Sequence, residues 1–280
     1  MKTIRTVAEL REALAPERRA GRVIGLVPTM GSLHDGHLAL LRRAREQCDV
    51  VVMSLFVNPA QFGPNEDFEA YPRDEARDAG LLAGAGCDLL YAPSVAEVYP
   101  VGASTTVTVG GVAEPLEGAA RPGHFAGVAT IVAKLLNQCG PDVAVFGEKD
   151  FQQLAVIRRL VADLDIPVEI VGAPTQRADD GLALSSRNAY LSPEERAQAP
   201  VLHQVLQALL QSLRNGESVA AVESVALDAL ARAGFREIDY VEVRDPATLE
   251  RLGPGPVEGP FRVLAAARLG RTRLIDNVGD

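Results

Sequence analysis

Residues Arg22–Met30, RVIGLVPTM, form a short run of aliphatic and β-branched side chains closed by Gly21 and Gly31, the pattern of a strand buried on both faces. The next stretch changes period. Leu38, Leu41, Ala44 and Cys48 recur at helical spacing while Arg42, Arg43, Arg45 and Glu46 take the opposite face, which predicts an amphipathic helix. Asp49–Val57 returns to a buried strand. Strand, helix and strand within about thirty-five residues predict a βαβ unit with a right-handed crossover. The alternation continues with a helical stretch over Arg73–Ala85, a strand at Cys87–Pro93 and a helix over Gly127–Gln138 stopped by Cys139, Gly140 and Pro141. A strand at Asp142–Gly147, a helix over Asp150–Leu164 and a strand at Pro167–Gly172 follow. This rhythm predicts an α/β fold, a Rossmann-like doubly wound parallel sheet.

From about Thr175 the pattern changes. A polar loop, Thr175–Tyr190, precedes a helix whose start is marked by Ser192 at the cap, Pro193 at the first helical position and Glu195 completing a capping box. That helix is expected to run to Arg214–Gly216, and a second from Ser218 to Gly234. Glu237–Asp245, Phe261–Gly270 and Thr272–Asn277 read as three strands. The chain therefore divides into a Rossmann-like domain, 1–175, and a smaller C-terminal α+β lid domain, 176–280.

Charge and composition narrow the function classes. With 28 Lys plus Arg against 37 Asp plus Glu, the net charge is −9, which argues against nucleic-acid or anionic-membrane partners and leaves room only for a local basic pocket. Cys48, Cys87 and Cys139 are odd in number and lack C-x-x-C spacing, so buried reduced thiols are expected rather than a disulfide framework or a cysteine zinc site. The N-terminal residues carry charges every few positions, and no apolar run approaches a membrane span. A soluble cytoplasmic protein is the expectation.

Candidate chemistry collects where strands end. In VPTMGSLHDGH, Gly31 and Gly36 allow close backbone approach, the helix start offers N–H groups to an anion, and His34 and His37 add donors at a phosphate. A helix-capping pair, and a zinc site built on H-x-x-H, are the competing readings. In FGEKDFQQL, Gly147 ends a strand, Lys149 suits a phosphate, Asp150 a ribose hydroxyl or metal-bound water, and Gln153 an uncharged polar group. In LSSRN, Ser185, Ser186 and Arg187 sit in an interdomain loop able to close over phosphates, or serve as turn formers. Asn58 and Gln61 follow a strand beside Pro59, and their amides suit a small hydroxy acid. Arg121 and His124 precede a helix, where an arginine could help to hold a carboxylate.

In this order PTMGSLHDGH, VNPAQFGPNEDFEAYPR, RPGHFAGV, FGEKDFQQL and LALSSRNAYLSPEER, spanning Pro28–Arg196, resemble the pantothenate synthetase (pantoate–β-alanine ligase) family. That family belongs to the nucleotidyltransferase superfamily, which includes class I aminoacyl-tRNA synthetases. His34 and His37 resemble the superfamily's H-x-G-H signature, and LSSRN its mobile second signature, with serines and arginine where a lysine-rich loop usually stands. The resemblance implies a ligase that adenylates pantoate with ATP, releasing pyrophosphate, and then passes the pantoyl group to β-alanine, releasing AMP. It implies an ATP site formed by Met30, Gly31, Ser32, Leu33, His34, Asp35, Gly36, His37, Gly147, Glu148, Lys149, Asp150, Gln176, Leu184, Ser185, Ser186 and Arg187. Of these His34, His37, Lys149, Ser185, Ser186 and Arg187 are implied to be catalytic, with His37 as proton donor or as electrostatic stabiliser. Gln176 stands where the family carries an aliphatic residue, which implies a backbone contact, and Ala126 replaces a residue that is often polar. Asn58, Gln61 and Gln153 are implied to bind pantoate, with Gln61 bordering the β-alanine path. Mg²⁺ is implied on the phosphates, without a protein ligand set, and the assembly is implied to be a homodimer. An adenylyltransferase acting on another small substrate, a non-catalytic nucleotide-binding module and, remotely, a zinc hydrolase are the alternatives.

Overall fold

A computed structural model describes residues 1–64 and 66–279. In chain order the first half runs β1 (Lys2–Ile4), α1 (Val7–Arg19), β2 (Ile24–Thr29), α2 (Asp35–Arg45), β3 (Val50–Leu55), α3 (Glu75–Gly84), β4 (Leu89–Tyr91), α4 (Val95–Val98), α5 (Glu117–Ala120) and α6 (His124–Cys139). The second half runs β5 (Val143–Gly147), α7 (Phe151–Asp163), β6 (Glu169–Ala173), α8 (Pro193–Gln198), α9 (Val201–Arg214), α10 (Val219–Arg232), β7 (Phe235–Arg244), β8 (Arg262–Leu269) and β9 (Thr272–Gly279). These elements form two compact units. The first comprises Met1–Ala113, Arg121–Glu148 and Gln153–Pro174, and the second Glu114–Ala120, Lys149–Gln152 and Thr175–Asp280.

The first unit holds a parallel six-stranded sheet in the order β1-β4-β3-β2-β5-β6. Alternation along the strands sends Leu26, Val52, Ala144 and Phe146 to one face, against Leu10, Leu14 and the α6 side chains. Val27, Val51, Met53 and Val145 point to the other, against Leu41, Ala44 and Leu82. Both faces are covered, so the strands are apolar throughout, as their sequence pattern requires. Three aspartates pin the opposite, amino-terminal edge. Val23 N–H donates to Asp49, Ile24 N–H to Asp142 and Val51 N–H to Asp88, each at 2.8 Å. Each carboxylate immediately precedes one strand and accepts an N–H from within a residue of the start of the strand beside it, and so fixes register at the start of the ladder.

The predicted α/β fold and its helices and strands are present with ends shifted by a few residues. Four elements have no counterpart in the patterning: β1, α1 and the single-turn helices α4 and α5. Strand β1 is three residues long, and α1 buries only Leu10 and Leu14, although Thr6 and Glu9 form a full capping box. A correction concerns the helix expected from Pro193 to Arg214, which is interrupted at Ala199–Pro200 to give α8 and α9. Pro200 has no N–H to donate and its ring crowds the preceding turn. The Ser192–Glu195 capping box opens α8 as expected.

In the second unit β7, β8 and β9 form an antiparallel sheet. One face, including Val241, Val263, Leu274 and Val278, packs on the apolar stripes of α9 and α10. The other face receives the two inserted segments. Arg273 makes a bidentate pair with Glu117, at 2.7 Å for both contacts, and Tyr240 donates its hydroxyl to Glu117 at 2.6 Å. Burial works against the Arg273 charge, but Glu117, Asp239 and Tyr240 together raise the guanidinium pKa. Burial and the adjacent carboxylate push the Tyr240 phenol well above its ordinary value. All three cysteines are buried and unpaired. Among the described residues no helix is long and apolar enough to cross a membrane.

Candidate active site

Sheet order reverses between β2 and β5: β3 and β4 continue from one side of β2, and β6 lies beyond β5. Ligands of doubly wound sheets bind at the carboxyl ends of the strands flanking such a reversal. The loop after β2 carries Gly31–His37, and the turn after β5 begins with Gly147 and Glu148.

The β2–α2 loop has an unusual backbone. Gly31 has φ +87° and Ser32 has φ +53°, a left-handed value for a residue with a side chain. A buried carboxylate holds that shape. Asp78 on α3 is 1% exposed and accepts Ser32 N–H at 2.7 Å and Leu33 N–H at 2.9 Å. A Cβ at Gly31 would lie 3.2 Å from Asp78 Oδ2, so the carboxylate and the loop backbone are packed together. Sequence reading missed Asp78. Its signal is a carboxylate four residues from Leu82, on the buried stripe of a helix.

His34 and His37 form a reciprocal cap at the start of α2. His34 Nδ1 accepts Gly36 N–H at 3.1 Å, His37 Nδ1 accepts His34 N–H at 3.3 Å, and the ring centroids are 4.2 Å apart. An Nδ1 that accepts carries no proton, which makes Nε2–H the donor of each ring. The capping reading and the phosphate reading are thus compatible: the backbone orients the rings and selects their tautomers. Among the described residues no group of three or more His, Cys, Asp or Glu side chains could hold a metal ion.

Beside β3, Asn58 and Gln61 are buried, at 1% and 9% exposure. Asn58 donates to Gln61 Oε1 and to the Gly127 carbonyl, both at 3.1 Å, and accepts from Ala60 N–H at 3.2 Å and Tyr99 O–H at 2.8 Å. An amide side chain offers two donors and two acceptor positions, so these bonds use all of its capacity. Asn58 therefore orients Gln61 and has nothing left for a ligand. Gln61 Nε2 donates to Met30 Sδ at 2.9 Å, a weak acceptor that a substrate oxygen can replace. Gly127 makes the arrangement possible, because a Cβ there would lie 2.1 Å from the Ala60 carbonyl oxygen. His124 Nδ1 is 2.9 Å from the Gln61 carbonyl oxygen, and Arg121 pairs with Glu66 at 2.6 Å. Burial pushes the Glu66 carboxyl up, but the Arg121 hydrogen bond and charge, with the Gly63 N–H and His124, together hold the pKa below the ordinary value. Gln153 is half-buried in the first turn of α7.

The remaining candidates lie in the second unit. Lys149 Nζ is 3.6 Å from Asp150 Oδ1, and Asp150 is partly exposed, at 46% of its side chain. Residues 176–184 form a small hairpin, with Leu184 N–H donating to the Gln176 carbonyl at 2.9 Å and an isolated bridge between Arg177 and Ala183. Gln176 itself is exposed. Its carbonyl holds the base of the hairpin, and Ser185, whose Oγ accepts Arg187 N–H at 3.3 Å, opens the short turn of Ser186–Tyr190. Lys149, Ser185, Arg187, His203 and Asp276 line one pocket of this unit. Asp276 is buried beneath it. Burial pushes its carboxyl up, yet the His203 and Arg177 contacts bring the pKa below the ordinary value.

The family profile described as Pantoate-beta-alanine ligase matches residues 2–279. A pantothenate synthetase of Caulobacter vibrioides is 58% identical over 276 residues, covering 98% of this chain and 97% of that protein. One of Rhizorhabdus wittichii is 59% identical over 278 residues, covering 99% and 98%. The crystal structure of a Thermus thermophilus pantothenate synthetase matches with a TM-score of 0.93 at 53% identity, covering 99% of both chains. A Francisella tularensis pantoate-beta-alanine ligase, solved with beta-gamma ATP and beta-alanine, matches with a TM-score of 0.82 at 33% identity, covering 99% of this chain and 97% of that one.

Proposed function

The chain belongs to the pantoate–β-alanine ligase family, and from that membership we propose a two-step, AMP-forming route in which its two units contribute different parts of the chemistry. The protein is an enzyme of pantothenate synthesis, with ATP and β-alanine among its substrates. In the first step a pantoate carboxylate oxygen attacks the α-phosphorus of ATP and pyrophosphate leaves, giving pantoyl adenylate. In the second, the β-alanine amine attacks the acyl carbon of that anhydride, and AMP leaves with the bridging oxygen. Activation is needed because a carboxylate resists amines, whereas AMP is a good leaving group.

The observation that carries this reading is the paired cap of His34 and His37 on a loop anchored by Asp78. It offers two oriented ring donors beside a helix start, suited to charge that builds on departing pyrophosphate. We assign His37 to electrostatic stabilisation, because phosphoryl transfer depends chiefly on positioning and charge. Met30–His37, Gly147–Asp150, Gln176 through its backbone, and Leu184–Arg187 are assigned to ATP, with Lys149, Ser185, Ser186 and Arg187 at the phosphates. Gln61 and Gln153 are assigned to pantoate, and Asn58 to holding Gln61 in place. Mg²⁺ bound to the phosphates would neutralise charge there. Asp150, partly exposed, fits a water of that ion, and no wider protein cage is required. Residues 1–175 would bind ATP and pantoate and 176–280 serve as the lid, within a cytoplasmic homodimer.

The test is stepwise. Protein mixed with ATP, Mg²⁺ and pantoate should release about one equivalent of pyrophosphate per site. Sustained AMP and pantothenate should appear only after β-alanine is added. ADP in place of AMP would refute the adenylate route.

A further inference from the structure

We propose that Asp276 and Asn277, adjacent on β9, are positioning residues that hold the Leu184–Arg187 turn and Lys149 in the arrangement a nucleotide's phosphates require. The inference rests on the reading above that these two segments grip the phosphates. Neighbouring residues of a strand point to opposite faces of the sheet. Asp276 shares its face with Leu274 and Val278, which are core positions, and is itself 4% exposed. It receives Arg177 through two hydrogen bonds, Nη1 to Oδ2 at 2.7 Å and Nη2 to Oδ1 at 2.9 Å. Arg177 also donates to the Gly181 carbonyl at 3.1 Å and so spans the tip of the 176–184 hairpin. His203 Nδ1 lies 3.4 Å from Asp276 Oδ2, and its ring lies close against that tip. Gly181 has φ +92°, and a Cβ there would sit 2.8 Å from His203 Cδ2.

Asn277 faces the other way. Its Nδ2 donates to the Lys149 carbonyl at 2.9 Å, and its Oδ1 accepts from Arg262, whose guanidinium stacks over the Phe151 ring at 3.8 Å from the centroid. One dipeptide thus bonds Lys149 directly, through its backbone carbonyl on one face, and on the other face bonds Arg177 of the hairpin whose base, Leu184 N–H to the Gln176 carbonyl, leads into the turn. Stability does not require an ion pair on a core face, since apolar residues of similar volume serve as well. A bidentate fork does add direction, because it admits Arg177 in one orientation.

The test compares Asn277→Ala and Asp276→Asn with Lys149→Ala and the parent enzyme, measuring thermal midpoint, KM for ATP and KM for pantoate. Both β9 variants should raise the ATP KM on the order of tenfold, since small misplacements of positioning groups are costly. The pantoate KM should stay within about twofold, because Gln61 and Gln153 belong to the other unit. A purely structural role would lower the thermal midpoint and leave both constants unchanged, which would overturn the proposal. An equal rise in both constants would overturn it too. If Lys149→Ala impairs ATP use and Asn277→Ala does not, the phosphate reading stands and this inference alone fails. If Lys149→Ala has no effect on ATP use, both fall. Should Asp276→Asn fail to fold, Asn277→Ala decides the matter alone, because it leaves the buried Asp276–Arg177 pair intact.

Discussion

At Asp78 a single carboxylate collects two backbone N–H groups from a loop whose conformation has left-handed φ values at successive residues. Asp78→Asn preserves the shape but supplies one acceptor oxygen in place of two, leaving one of those amides without a partner at a cost of about 1–3 kcal/mol. The expected result is a lower thermal midpoint and an ATP KM raised by about tenfold, in line with small positional errors at a phosphate loop. Steady-state kinetics beside thermal unfolding check it, and unchanged ATP use would show that the loop keeps its shape without the carboxylate. The histidines, Gln61 and Lys149 stand out as candidates in the sequence because each is a polar residue just past a buried strand, and Ser185 and Ser186 because they adjoin Arg187 in a polar loop. Asp78 does not, since its partners are backbone groups 45 and 46 residues away and no side-chain pattern announces them. Asn58 was legible as a polar residue at a strand end, but its saturation by Gln61, Tyr99, Ala60 and Gly127 emerges only once the chain is folded.

Helix α6 crosses the Asn58–Gln61 turn at a distance only glycine permits. Gly127→Ala would drive a methyl group into the Ala60 carbonyl, and overpacking of this kind costs about 1–3 kcal/mol. The displaced turn carries Gln61, so the variant should lose pantoate affinity more than ATP affinity. Comparing the two KM values checks this, and equal losses would mean that Gln61 does not serve pantoate. Strands β2, β3 and β5 were readable because burial on both faces leaves an uninterrupted apolar run, and α8 because Ser192, Pro193 and Glu195 spell its cap. The α8–α9 break follows from Pro200, which a reading based on apolar spacing passes over. Strand β1 and helix α1 are faint for a physical reason: an edge strand of three residues and a helix with two buried leucines carry little periodic signal.

Across the molecule, acid and base should act on different groups. Burial pushes the Glu66 and Asp276 carboxyls up, but Arg121 at one and His203 with Arg177 at the other bring both below their ordinary values. Arg5 lowers Glu75 directly. Such groups bind fewer protons in the folded state than in the unfolded, so their stabilisation is full above about pH 4–5 and is lost as pH falls through the folded values. Cys87 and Cys139 carry the opposite sign, pushed up by burial to about 11 and about 12. Their unfolded thiols ionise first, near pH 8.5, so stability declines above that point. Urea unfolding midpoints should therefore be level across about pH 6–8 and fall on either side; a midpoint that rises toward pH 4 would contradict these assignments. The change of pattern at Thr175 is what suggests a boundary in the sequence. The attachment of Glu114–Ala120 and Lys149–Gln152 to the second unit has no such signal, because it depends on Glu117 and Asn277 finding distant partners. The central claim concerns an atom that moves. With pantoate labelled by ¹⁸O in both carboxylate oxygens, turnover in the presence of ATP, Mg²⁺ and β-alanine should give AMP carrying one label and pantothenate keeping the other in its amide carbonyl, read by mass spectrometry. Unlabelled AMP would contradict the adenylate and the roles built on it.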